Sequence, residues 1–380
     1  MPKPRQFCCR HGDQIPNHMN NFRYKPFLWS AIFLFVAIVL LFSYFNFPRK
    51  EVRLLSTKQS LENQAPRFDT RFLSWSLATS SAEWQPRDSA VSFVFQNKMW
   101  TMGGLNGNRE VDSKHTVRYW EAPHFNDIWA SEDGVHWQVM KTKAEWPTRR
   151  SISVVLFQDK LWMFGGWSPI TGYTRDIWQS SDGIAWTKIV SSAPWPAREG
   201  QTTEVFQGKI WLMGGVNYDK RETKNDVWWS DNGIDWHEAT TTIPWSSRWD
   251  HATVVFNGKI FLAGGMNLQK QTFKDVWSSS DGLNWELVNP NPLWQERQGH
   301  SLVVLHDKLW IIGRLNDSDG GGVNDIWYSD DGTIWQKTQT DPSWLGREDH
   351  SVLVFKDRIF VFGGMDANWQ WRNDVWFSSN

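Results

Sequence analysis

Cysteine is almost missing from this chain of 380 residues: the only two, Cys8 and Cys9, stand side by side near the start. No disulfide can therefore staple residues 10–380, and no cysteine-based metal site can form there. Excess charge is lacking too, with a formal net charge of -1. Residues 1–25 hold Lys3, Arg5, Arg10, Arg23 and Lys25 against Asp13, which leaves the remainder at about -5. A mildly acidic body argues against nucleic acid as a partner, because the phosphate backbone selects basic surfaces. What the chain has in quantity is tryptophan, 29 residues in an aromatic content of 15%. So large a side chain is used this often where its faces are buried or stacked.

Residues 1–25 read as a basic, flexible tail without a hydrophobic period. Within 26–47 the composition changes abruptly, and Phe27 to Phe47 contains no charged residue. Twenty-one residues at about 1.5 Å each match a hydrocarbon core of about 30 Å. A cleaved signal peptide is the rival reading. The length of the run and the bulky Tyr44, Phe45 and Phe47 at the cleavage position favour an uncleaved transmembrane signal-anchor helix. Five Lys/Arg precede the run and Arg49, Lys50, Arg53, Lys58 and Arg67 follow it, so charge counting leaves the orientation open. The short tail before the anchor points to a single-pass protein with its body extracytoplasmic, at the cell surface or in a periplasm or lumen. Residues 48–68 read as a stem linker.

From there the chain repeats itself. A Trp-x-x-Arg string opens each unit at Trp84, Trp146, Trp195, Trp245, Trp294 and Trp344, giving Arg87, Arg149, Arg198, Arg248, Arg297 and Arg347. Two apolar runs follow around a tight turn, and the second ends in Gly-Gly five times and in Gly313-Arg314 in the fifth unit. An Asp-[Ile/Val]-Trp string comes next in all units, ending at Trp129, Trp178, Trp228, Trp277, Trp327 and Trp376. A period near fifty residues with four strand signals and a double glycine resembles the kelch repeat. The resemblance covers roughly residues 72–380. It implies an all-β, six-bladed kelch-type β-propeller, here preceded by a single transmembrane helix, with the propeller occupying 69–380.

The last unit stops at Asn380, before its fourth strand, and a matching strand, Leu73-Ser74-Trp75-Ser76-Leu77, precedes the first unit. The N-terminal strand within 72–80 is thus expected to complete the C-terminal blade. With strands a to d counted outward from the axis, the a–b and c–d turns are short and alike and read as scaffold. The b–c loops differ between units and, with the d–a connections, mark the face where function belongs. Identities that recur in every unit serve a repeated structural need, so the six arginines are expected to bind nearby carbonyls or the Asp of Asp-[Ile/Val]-Trp. The residues just after them vary, and they are the candidate ligand-binding set at the channel mouth: Asp88, Arg150, Glu199, Trp249, Asp250, Glu348 and Asp349, with Gln298 in the fifth unit. On the loops the candidates are Tyr119, Trp120, Tyr218, Arg221, Trp369 and Trp371, side chains suited to stacking on sugar faces or gripping carboxylates. His251, His300 and His350 take one equivalent position in consecutive units, which the resemblance implies is structural.

Three functions follow from this reading. The first is a membrane-anchored binding module that recognises a glycan or protein partner through the b–c loop face. The second is an enzyme similar to the kelch-fold sialic acid mutarotases, with no residue assignable as catalytic. The third, a copper oxidase similar to galactose oxidase, is disfavoured because that copper site needs a cysteine. No cofactor and no metal is expected, and the membrane is met through residues 27–47.

Overall fold

The computed structural model describes residues 69–108, 118–239, 242–316 and 321–379. The tail at 1–25, the expected anchor at 26–47 and the whole stem at 48–68 lie outside them. Among the described residues no helix is long and apolar enough to cross a membrane, and the only helical element is one 3-10 turn at Thr70–Phe72. The unit Pro66–Asn380 is built from six four-stranded antiparallel sheets, so the chain is an all-β, six-bladed propeller.

Blade 1 is formed by Val91–Phe95, Lys98–Met102, Ile128–Ser131 and Gln138–Lys141, and the later blades repeat this order. Blade 6 takes its outer strand from the other end of the described chain. Ser74–Thr79 pairs antiparallel with Val375–Ser379, with Trp75 opposite Ser378 and Leu77 opposite Trp376. Trp75 then packs edge-on against Trp344 at 4.6 Å, the arrangement that Trp137 makes with Trp84 at 6.0 Å and Trp236 with Trp195 at 6.1 Å. Such edge-to-face pairs add about 0.5–1.5 kcal/mol each beyond their area. In five of the six units the outer-strand tryptophan therefore clamps the tryptophan that opens it, and the strand at 74–79 does this for the last blade.

The six repeated arginines are frame. All are essentially buried, and each forms an ion pair with the Asp of its own unit: Arg87 with Asp127, Arg149 with Asp176, Arg198 with Asp226, Arg248 with Asp275, Arg297 with Asp325 and Arg347 with Asp374. The pairs are bidentate, and Nη1 also donates to the carbonyl of the first glycine, as Arg198 does to Gly214 at 2.8 Å. The same Asp accepts the indole N–H two residues on, as Asp226 does from Trp228 at 2.9 Å. One carboxylate thus satisfies a guanidinium and an indole, which is what a buried charge needs to be tolerated.

The double glycine links neighbouring blades. At Gly214, with φ 59°, an added Cβ would lie 2.8 Å from the Arg248 carbonyl oxygen of the next blade, and the N–H of Gly215 donates to that oxygen at 2.9 Å. The same bond runs from Gly364 to Arg87 at 2.8 Å and so crosses the point where the ring closes. His251 lies over Gly214, His300 over Gly264 and His350 over Gly313, so the recurring histidines pack on the preceding blade. In blade 5 Arg314 replaces the second glycine. Its guanidinium turns back to Gln295 and the carbonyl of Glu296, and the second and third strands run on to Asn316 and from Gly321. The a–b turns have the same shape in the different blades, with positive φ at Gln96 and Asn97, at Gln158 and Asp159 and at Gln207 and Gly208, the two-residue hairpin whose twist matches the strands.

Candidate functional site at the channel mouth

In five of the six blades the residue after the repeated arginine pairs with the residue after the glycine pair. Asp88 bridges to Leu105, Arg150 to Trp167, Glu199 to Val216, Trp249 to Met266 and Glu348 to Met365. These short ladders stand above the blades and form the wall of the mouth. One residue further on, the chain turns through the left-handed region in every blade: Ser89 (φ 50°), Ser151 (50°), Gly200 (64°), Asp250 (49°), Gly299 (58°) and Asp349 (50°). Their backbones bond head to tail around the axis. Ser151 N–H donates to Ser89, Ser89 to Asp349, Asp349 to Gly299, Gly299 to Asp250 and Asp250 to Gly200, at 2.8–3.2 Å. Between blades 2 and 3 the side chains of Arg150 and Glu199 make the connection. A collar of backbone thus rims the channel, and the wall rises from it.

Above the collar opens a bowl of about 890 Å³. Every blade contributes the residue that follows its repeated arginine: Asp88, Arg150, Glu199, Trp249, Gln298 and Glu348. Asp250 and Asp349 of the collar join them, as do Tyr119, Trp120, Tyr218 and Trp369 from the loops. Eleven of the thirteen candidates from the sequence are therefore gathered in one cavity. Two are elsewhere. Trp371 is buried at 2% exposure in a cluster with Leu105, Ala122 and Met365, where its indole presses on Gly107. It was expected on the loop face because it lies in a loop. The loop folds inward at that residue, since a fully apolar face gains more from burial than from standing in water. Arg221 lies in a separate surface depression between blades 3 and 4, with Glu222, Lys224 and Gln269.

The sequence reading missed Trp167, Asp219, Asn267 and Lys270, which also line the bowl. Trp167 had a legible signal, because it directly follows Gly165-Gly166 and so must sit opposite Arg150 on the wall. The other three belong to loop tips whose course no repeat specifies.

Charge in the bowl is uneven. Arg150 and Glu199 form a bidentate pair, Nε to Oε2 at 2.9 Å and Nη2 to Oε1 at 3.1 Å. The guanidinium also lies over the rings of Tyr119 and Trp167, at 5.3 and 5.1 Å from their centroids. Burial opposes the charge on Arg150, but Glu199, helped by Asp88, outweighs it and holds the guanidinium firmly protonated. The carboxyls of Asp88 and Asp250 are pushed well above the usual carboxylate range, by burial first and then by the charge of Asp349. That of Asp349 is raised as well, chiefly by burial, although it accepts a hydrogen bond from the Ser89 hydroxyl at 3.1 Å. Burial likewise raises the phenols of Tyr119, Tyr173 and Tyr218. Two acceptors in the wall make no hydrogen bond within ordinary range, Gln298 Oε1 and Asp88 Oδ1, the latter with the Trp371 indole nearby favouring its charge. Chemically the bowl offers stacking faces, carboxyls that can hold or release a proton, and one arginine already engaged. Among the described residues no group of three His, Cys, Asp or Glu side chains is placed to hold a metal ion.

A repeat-protein family defines the class. The KLHDC2/KLHL20/DRC7 Kelch-repeats domain matches residues 55–265, 119–313 and 200–379, in overlapping frames as expected for a sequence that is similar to itself one blade further on. The chain belongs to this kelch-repeat family. Among solved structures it is similar to the one described as the structure of YjhT, with a TM-score of 0.61 and 16% identity over 79% of this chain and 96% of that one. At that identity the likeness shows the fold. No curated protein sequence matches the chain significantly.

Proposed function

We propose that this protein is a membrane-anchored binding module whose bowl at the channel mouth recognises a glycan or a protein ligand. The observation that carries the reading is the convergence of residues from all six blades, seven of them aromatic, into one cavity of about 890 Å³ on the face where the repeats differ. Concave, aromatic-walled sites with a few polar groups are the usual form of a ligand site. In this reading residues 27–47 anchor the chain and the propeller is extracytoplasmic. The test uses the full chain in detergent micelles on a glycan array and in crosslinking to candidate protein partners. Binding is expected that falls with Tyr218→Ala and with Trp249→Ala and survives Glu286→Ala on an outer strand. Binding indifferent to both bowl variants, or none to any glycan or protein, overturns the proposal. Degradation of the propeller by protease only after cell lysis would sink the orientation.

A second reading, a sugar-interconverting enzyme similar to the kelch-fold mutarotases, is favoured by one feature. Asp88, Asp250 and Asp349 keep their protons above the ordinary range, as a general acid requires. Against sialic acid as its substrate stands the pairing of Arg150 with Glu199, which occupies the bowl's arginine. Anomer exchange of neutral and acidic sugars followed by NMR, with Asp349→Asn as control, separates the two readings.

A further inference from the structure

Among the described residues that line the bowl, acids outnumber bases. Six carboxyl groups line it, those of Asp88, Glu199, Asp219, Asp250, Glu348 and Asp349, against the cations Arg150 and Lys270. Glu199 and Arg150 cancel in their bidentate pair, which leaves Asp219 on the blade 3 loop and an acidic arc carried by blades 4, 6 and 1. That arc contains a specific vacancy for a donor. Asp88 is 3% exposed and its Oδ1 makes no hydrogen bond within ordinary range, although the nearby Trp371 indole favours its ionised form; Gln298, in blade 5, is 6% exposed and its Oε1 accepts none. Both line the cavity, and a buried acceptor left unmade costs about 1–3 kcal/mol, more when charged. A ligand that brings donors recovers that cost.

The collar carries two more carboxylates into reach. Asp250 Oδ1 lies over Gly200, 2.9 Å from where a Cβ would stand, and Asp349 Oδ1 lies over Gly299 at 2.8 Å. The acceptors thus belong to blades 1, 4, 5 and 6 and are spread around the mouth. A lone ammonium on a flexible stem presents its donors at one point and cannot meet acceptors held by four blades. A hydroxylated ring bearing an ammonium has donors along its whole edge, and its faces suit the aromatic wall of Trp249 and Tyr218.

Building on the binding function above, we propose that the bowl takes a cationic sugar, a hexose with an unacetylated amino group, its ammonium facing Asp88 and its ring edge reaching Gln298 and the collar carboxylates. Binding is coupled to proton release. Asp88, Asp250 and Asp349 are protonated more readily than ordinary carboxyls because of burial, with the charge of Asp349 adding to this at Asp88 and Asp250 and that of Glu199 at the collar pair. Arg150, the Ser89 hydroxyl and, at Asp88, the Trp371 indole pull the other way. An arriving cation favours the ionised forms, so affinity rises with pH while the amine itself stays charged.

The experiment titrates the full chain in detergent micelles with glucosamine, glucose, N-acetylglucosamine, N-acetylneuraminic acid and a lysine-containing tripeptide, read by calorimetry. Glucosamine is expected to bind about tenfold or more tighter than glucose or N-acetylglucosamine, as one charge-assisted hydrogen bond allows. Its affinity should rise as pH climbs above the ordinary carboxylate range, with protons released to the buffer. Asp88→Asn, an isosteric change, should weaken glucosamine binding by more than glucose binding and so remove most of the preference, and Asp349→Asn should reduce it in the same direction. Equal affinity for glucosamine and its N-acetyl form overturns the proposal and leaves the binding function standing, as does tightest binding of the lysine tripeptide or of N-acetylneuraminic acid. If glucosamine does not bind, the proposal falls, and the glycan and partner tests above decide separately whether the binding function falls with it.

Discussion

Arg149 and Arg150 are consecutive residues with opposite employment. Arg149 turns into blade 2, where Asp176, the Gly165 carbonyl and the Thr174 hydroxyl take up its Nη1. Arg150 turns to the mouth, where it binds Glu199 of another blade beneath two aromatic rings. The first contact occurs in every unit and the second in one. In the frame each buried charge meets a dedicated partner, whereas in the bowl several carboxyls crowd together with fewer cations. The two regions therefore respond to protons in opposite directions. Burial penalises the charge of Asp176, Asp226, Asp325 and Asp374, but their arginines outweigh it and hold these carboxyls below the ordinary range. The stability they confer is present above the unfolded-state pKa and is lost as pH falls through the depressed folded-state one. The raised carboxyls of the bowl cost stability as pH climbs from the unfolded pKa through the folded one.

The sharpest way to break the frame is to open the ring. Deleting residues 72–80 removes the outer strand of blade 6 and the Trp75 clamp on Trp344. It is expected to abolish the single cooperative melt seen by circular dichroism, an effect far beyond that of losing an ordinary edge strand. Next comes Asp226→Ala, which strands Arg198 and the Trp228 indole; a loss of about 3–5 kcal/mol in urea unfolding is expected, as for other broken buried pairs.

A smaller effect, of opposite sign, is expected at Glu204. It occupies the inner-strand position that holds Phe93, Val155, Val254, Val303 and Leu353 in the other blades. Burial lifts its carboxyl to about 7, and its one partner is the Thr253 hydroxyl at 2.8 Å. Glu204→Gln should raise the melting temperature at pH 8 and leave it nearly unchanged at pH 4. The stability lost by the parent as pH rises towards 7 is then absent from the variant. Smallest of all, Asp88→Asn should bring a modest gain of melting temperature at neutral pH that vanishes at low pH. A loss at neutral pH would mean that Asp88 belongs to the frame.

Much of the frame was legible in the sequence because it repeats. Trp-x-x-Arg, Gly-Gly and Asp-[Ile/Val]-Trp named the contacts that the six arginines make, and the unit's missing last strand pointed to the segment that pairs with Val375–Ser379. The mouth was half legible. Position relative to the repeat placed Asp88, Arg150 and Glu199, since any residue after that arginine must reach the wall. It could not place Arg221, Trp371 or Lys270, because loop tips are steered by contacts made once. Nor did it show that Arg150 and Glu199 meet, since their pairing depends on the distance between neighbouring blades, a length that no single unit encodes.

The collar of left-handed residues has a consequence for how such a protein changes over time. Its hydrogen bonds are main-chain at five of the six junctions, with Arg150 and Glu199 spanning the sixth, so away from that junction the bore of the mouth is set independently of which side chains stand on it. Serine, glycine and aspartate already share the six places. A lineage can therefore exchange the chemistry of the opening, one blade at a time, without resizing the aperture or renegotiating the packing beneath it.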